Sequence, residues 1–164
     1  MRLRKHPMKR KMIVAGSLAM LMLGVAAAHA SDGSLSSERL DAVLEKAAAF
    51  GFQHYQEIEA KGGDNVKIEG WLDDEWQAEV RLSLETGQTL EEERKRREGG
   101  AWGMSEDDVR MAMVAAVAEG MVEFEEIEVD RDGSIEIEGR DADGREIEVK
   151  ARQGESGVVE VKRD

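Results

Sequence analysis

Cysteine is absent from this sequence, and proline occurs once, as Pro7. Without cysteine there is no disulfide, no thiolate nucleophile and no thiolate metal ligand. Histidine is nearly as scarce: beyond residue 30 only His54 remains. A single imidazole falls short of the three or four N/S ligands that a zinc site wants. His54 stands just past Gly51 and beside Tyr55, the one tyrosine, and reads as a structural histidine. Positive charge is also in deficit. There are 23 Lys+Arg against 36 Asp+Glu. An excess of that sign repels nucleic acid and anionic membrane surfaces and suits cationic partners.

The basic residues that are present crowd the start. Arg2, Arg4, Lys5, Lys9, Arg10 and Lys11 precede an apolar run from Met12 to Ala27, which ends in Ala28-His29-Ala30. A basic head, an apolar middle and an A-x-A site make a secretory signal peptide over residues 1–30. The run is short for a membrane span, so no stable insertion is expected after cleavage. No cysteine follows it, which argues against a lipid anchor. The expected address is the periplasm or the outside of the cell. Removing the signal leaves 17 Lys+Arg against 36 Asp+Glu, a net charge of −19, and no proline.

Shifted by 69 residues, the chain matches itself. Gly51 falls on Gly120, Glu57-Ile58-Glu59 on Glu126-Ile127-Glu128, and Ile68-Glu69-Gly70 on Ile137-Glu138-Gly139. Such self-similarity predicts repeated units. Residues 31–88 and 102–164 are read as two repeats, with 89–101 as a linker. In each, a helix comes first. Leu40, Val43, Leu44 and Ala47 lie on one helical face, as do Val109, Ala112, Met113 and Ala116. Ser36 or Ser37 caps the first helix and Ser105 the second, while Gly51 and Gly120 end them. Strands follow at about 55–60, 65–72 and 76–84, then 124–129, 134–140, 145–152 and 158–162, several with period-2 alternation. The expected fold is α+β: two tandem repeats, each one helix packed on an antiparallel β-meander. In the linker, Thr89 and Glu92 have capping-box spacing, so a short helix carrying the basic run Arg94–Arg97 is expected there.

Two tetrapeptides, Asp130-Arg131-Asp132-Gly133 and Asp141-Ala142-Asp143-Gly144, read D-x-D-G. A calcium loop of the EF-hand kind needs glycine two positions later and flanking helices. Asp-Gly between alternating runs is instead a hairpin signal. Paired carboxylates are so numerous that their pairing singles out no acid–base site. Strand parity puts Trp76 on the face of Ala78, Val80 and Leu82, hence in the core. It puts Trp71 out of phase with Val66 and Ile68, hence facing solvent. Trp102 is expected to staple the second helix or fill the seam between the repeats.

The stretch from Trp102 to Met113, the glycine at 120, and the run from Glu126 to Ala151 resemble the PepSY domain. Glu85-Thr86-Gly87-Gln88 is similar to the turn that ends that family's pattern, and Gly154–Val158 matches it more loosely. The tandem arrangement resembles the two-repeat architecture of the β-lactamase inhibitor protein, as a likeness of fold. The resemblance covers nearly the whole chain after the signal. It implies a non-enzymatic, protein-binding role that modulates a secreted or periplasmic peptidase or another envelope protein, with no catalytic residues, cofactor or metal. Trp71, Asp73, Asp74, Asp141 and Asp143, at matching hairpin tips, are the expected partner contacts, and the chain is expected to be a monomer. An alternative of another class is an acidic envelope protein that responds to divalent cations.

Overall fold

The computed structural model describes residues 33–164. The signal read over residues 1–30 lies outside the described residues. No helix among the described residues is long and apolar enough to cross a membrane.

A two-residue strand, β1 (Leu35–Ser36), and a 3-10 turn lead into α1 (Leu40–Phe50). Four strands follow: β2 (His54–Lys61), β3 (Asn65–Trp71), β4 (Trp76–Ser83) and β5 (Thr89–Arg96). After α2 (Glu106–Ala118) come β6 (Met121–Val129), β7 (Ser134–Asp141), β8 (Glu146–Arg152) and β9 (Val158–Arg163). Both helices carry the apolar faces that the spacing predicts. Leu40, Val43, Leu44 and Ala47 of α1 are buried, and so are Val109, Ala112, Met113 and Ala116 of α2. Ser105 caps α2 in a reciprocal box with Asp108, and Gly51 and Gly120 take positive φ just past the helix ends.

All nine strands of the described residues belong to one antiparallel sheet, in the order β5-β4-β3-β2-β6-β7-β8-β9, with β1 beside β6. This corrects the expected α+β fold of two repeats, each a helix on its own meander. The chain is mostly sheet, with two short helices among the described residues. Strand β2 pairs directly with β6, as Glu57 with Glu128, Ile58 with Ile127 and Glu59 with Glu126. The apolar side chains of both halves form one continuous core under the two helices. The physical reason is the open edge. A meander of about 60 residues leaves unpaired N–H and C=O groups and hides too little surface to stand alone. Joining β2 to β6 satisfies both edges and merges the cores.

The expected linker helix over 89–101 is also corrected. Residues 89–96 form β5, paired with β4 along its length. Gly87, at positive φ, closes a tight hairpin in which the Gly87 amide donates to the Ser83 carbonyl and the Ser83 amide to the Gln88 carbonyl. The next residues are thereby delivered antiparallel to β4, and ladder pairing outweighs the capping-box spacing. The basic run becomes strand and turn, with Arg96 bound to Glu75 at 2.9 Å. Across the same pair of strands Arg81 meets Glu91 at 2.8 Å.

From β5 the chain returns to the middle of the sheet. Met104 and Tyr55 exchange backbone hydrogen bonds of 2.8 and 2.7 Å. Gly103, just before, has φ 131°, and a Cβ there would lie 2.6 Å from the Tyr55 carbonyl oxygen. Only glycine permits that approach. The return places residues 97–102 beside Trp71.

Candidate functional site

The sheet has two unlike faces. One carries the alternating Ile, Val, Leu and Ala side chains into the core. The other face carries the intervening charged residues. Because the strands pair in register, these line up across the sheet. One row runs Glu93, Glu79, Glu69, Glu57, Glu128, Glu136, Lys150, Glu160, each opposite the next. The adjoining row runs Glu91, Arg81, Lys67, Glu59, Glu126, Glu138, Glu148, Lys162. Like charges directly opposite destabilise a sheet by up to about 1 kcal/mol per pair.

Lysines neutralise part of this face. Lys67 lies 2.6 Å from Glu57 and 3.0 Å from Glu59, and Lys150 lies 2.6 Å from Glu136 and 3.3 Å from Glu148. Burial works to lower the proton affinity of Lys67, yet its hydrogen bonds to Glu57 and Glu59 hold the ammonium above its usual range. Among the described residues Glu69, Glu126, Glu128 and Glu138 have no ion pair, and all four carboxyls are pushed up. The largest displacement is at Glu126, raised to about 7 first by burial and then by Glu57, Glu128, Glu59 and Glu138. At neutral pH this part of the face holds excess negative charge that the protein does not itself balance.

Against the middle of the first row is a cleft of about 500 Å³. Glu57, Glu69 and Glu128 line it together with Gln56, Gln77, Trp71, Trp102, Arg97 and Arg131. A register shift between Tyr55 and Glu57 makes a bulge that sets Gln56 into this region, where it is 8% exposed. Gln77 Nε2 donates to Glu69 at 2.7 Å, and Gln77 Oε1 accepts from Arg97 Nε at 3.1 Å. The Arg131 guanidinium sits 4.8 Å from the centroid of the Trp102 ring. Neither Arg97 nor Arg131 has an ion pair among the described residues.

The five expected contact residues do not form one surface. Trp71 is 3% exposed and lines the cleft, which corrects its expected exposure. Strand parity does keep it out of the core cluster, on the charged face, but residues 97–102 and Gln56 share the cleft with it. Trp76 is 41% exposed rather than core, because it opens β4 at the hairpin. Trp102 is half-buried against the core, beside the start of α2. Asp73 accepts from the Glu75 and Trp76 amides at 2.8 Å and so shapes its own turn, while Asp74 is exposed. Asp141 accepts from the Asp143 and Arg145 amides and binds Arg145 Nε at 3.0 Å. Those bonds, the Arg145 amide foremost, hold its carboxyl below the usual range. Asp143 is exposed and paired with Arg145 at 2.8 Å. Both D-x-D-G segments close hairpins, β6–β7 and β7–β8, as the alternation predicts. Sequence reading missed Gln56, Glu57, Glu69, Gln77, Arg97, Glu128 and Arg131. The recurring Glu-Ile-Glu pattern signals a charged face, but only register brings its glutamates side by side.

No protein-family model matches the sequence, and no curated protein matches it. A crystal structure of a candidate lipoprotein from Clostridium difficile 630 is similar at 18% identity, over 76% of this chain and 91% of that one, with a TM-score of 0.48.

Proposed function

We propose that this is an exported binding protein whose glutamate-covered sheet face engages a cationic protein partner, with a peptidase of the cell envelope or secreted fraction as the finer assignment. The observation that carries the reading is the set of four unpaired glutamates, Glu69, Glu126, Glu128 and Glu138, in register on one open face. A partner ammonium or guanidinium supplies there the charge that the protein lacks. The signal peptide read at residues 1–30 supports export. The resemblance to the PepSY domain supports a peptidase as the partner and binding, rather than catalysis, as the action. The mechanism is occlusion: the face covers a basic surface of the partner, and long-range attraction speeds association.

The test is capture from the source organism's own exported proteins, with identification of what is retained. A basic partner should bind at low salt, elute as screening rises, and fail to bind a Glu57→Gln, Glu126→Gln, Glu128→Gln bait. Equal retention by the variant would place the interface elsewhere and sink the reading.

One observation favours a second reading, response to divalent cations. Carboxylate oxygens of Glu136, Glu138 and Glu148 lie within 4.8 Å of one another. Lys150 and Lys162 already bind that cluster, each with a 2.6 Å contact. An ion would have to displace them. Calcium or magnesium at a few millimolar should raise the thermal midpoint if the cluster binds either, because a ligand of the folded state alone stabilises it. An unchanged midpoint in both removes this reading.

A further inference from the structure

The cleft beside Trp71 brings together groups that a simple cation cannot satisfy. Glu57, Glu69 and Glu128 give it negative charge. Arg97 and Arg131 line it without an ion pair among the described residues. Trp71 is the most deeply buried of the lining residues, and its indole Nε1–H has no acceptor among the described residues. A buried donor left unmatched is expensive, and such groups mark places where something is missing. A metal ion would serve the carboxylates and leave the indole and both guanidinium groups unserved. A small anion would serve those donors and meet three carboxylates. Only a ligand bearing a cation and carbonyl or carboxylate oxygens a few ångströms apart answers all of them.

We propose that this cleft is a binding site for a peptide segment carrying an arginine or lysine side chain. The basic head group lies against Glu57, Glu69 and Glu128, and the peptide's carbonyl or terminal carboxylate oxygens accept from Trp71, Arg97 and Arg131. Charge-assisted bonds of both signs hold it. A cleft of about 500 Å³ is within the range that holds small ligands, and takes two or three residues. Trp102, with Arg131 over its ring, supplies an aromatic wall. The raised proton affinities of Glu69 and Glu128, caused first by burial, fit carboxylates awaiting a counter-charge. This inference rests on the cationic-partner reading and gives the partner a chemical signature: a basic residue in an accessible, extended segment.

The experiment is calorimetric titration of the protein with the tripeptide Ala-Arg-Ala, with Ala-Gln-Ala and calcium chloride as comparison probes. Ala-Arg-Ala should saturate one site. Ala-Gln-Ala should bind at least about tenfold more weakly, since a bond to a charged group is being removed. Calcium should not compete. Trp71→Phe keeps an aromatic ring and loses the indole N–H, and should weaken Ala-Arg-Ala about tenfold in a variant shown by circular dichroism to be folded. Glu69→Gln should weaken it as well. Equal affinity for the two tripeptides, no binding of either, or indifference to Trp71→Phe in a folded variant would each overturn the assignment. The broader reading fails separately: a partner captured through the glutamate face by a protein that ignores Ala-Arg-Ala would remove the cleft and keep the face.

Discussion

Glu126 sits where β2 and β6 meet, opposite Glu59 and Glu138 and beside Glu57 and Glu128. Its folded-state proton affinity, near pH 7, lies above the ordinary value of 4.5. Between those two values the folded protein holds a proton that the unfolded chain gives up. Stability therefore falls as pH rises through that window and recovers on acidification. Glu69, Glu128 and Glu138 act in the same direction. Glu59, Asp108 and Glu148, whose carboxyls are lowered, withdraw stability only at more acid pH. The thermal midpoint should thus be higher at about pH 5.5 than at about pH 8, the opposite of common acid destabilisation. Glu126→Gln should raise the midpoint at pH 8 by about 2–4 °C and flatten the profile, as followed by calorimetry. A midpoint that falls steadily from pH 8 to 5.5 would contradict the assignment. None of this is legible from residue 126 alone, since glutamate in a Glu-Ile-Glu run is ordinarily a solvated strand residue. The crowding arises from register.

Among the elements, both helices could be read from residue spacing, because their caps, faces and stops are local. The strands β3, β4, β7 and β8 could be read from alternation. Strand β5 could not. All eight of its residues are exposed, so no buried face marks it, and its charge run matches a helix equally well. It is a strand because the Gly87 hairpin delivers it to β4. The bulges in β2 and β6 were equally hidden, since Gln56, Val122 and Glu125 occupy them without any unusual residue type. The glycines opposite do leave a trace: Gly70 pairs with Tyr55 and Gly139 with Phe124. A Cβ on Gly70 would run into the His54 carbonyl oxygen, and one on Gly139 into that of Glu123. Gly139→Ala should therefore destabilise by roughly 1–3 kcal/mol in urea unfolding, through overpacking at the bulge. A neutral result would mean that the bulge relaxes freely. The cleft was illegible for a related reason, because Gln56 and Trp71 come from β2 and β3, Arg97 from the segment after β5 and Arg131 from the β6–β7 turn.

At the scale of the whole molecule, the β2–β6 pairing decides how the protein unfolds. Ile58 and Ile127 face each other across it, both fully buried. With one sheet and one core, unfolding should be a single transition. Ile58→Ala should shift that transition as a whole, by about 2–5 kcal/mol, with circular dichroism and tryptophan fluorescence moving together. Two separated transitions would mean that the halves keep independent stabilities. Among the described residues the same sheet stops at β5 and β9, whose outer backbone groups have no partner strand there. Left plain, such ends let one copy add to the next without limit, as in a growing fibre. On β5 the glutamates Glu91–Glu93 adjoin the cations Arg94, Lys95 and Arg96, so a second copy laid parallel and in register meets its own sign at each of them, and an antiparallel copy meets the opposite sign. Strand addition at this edge is thereby tied to one orientation and a few registers, and loosens as salt screens the charges.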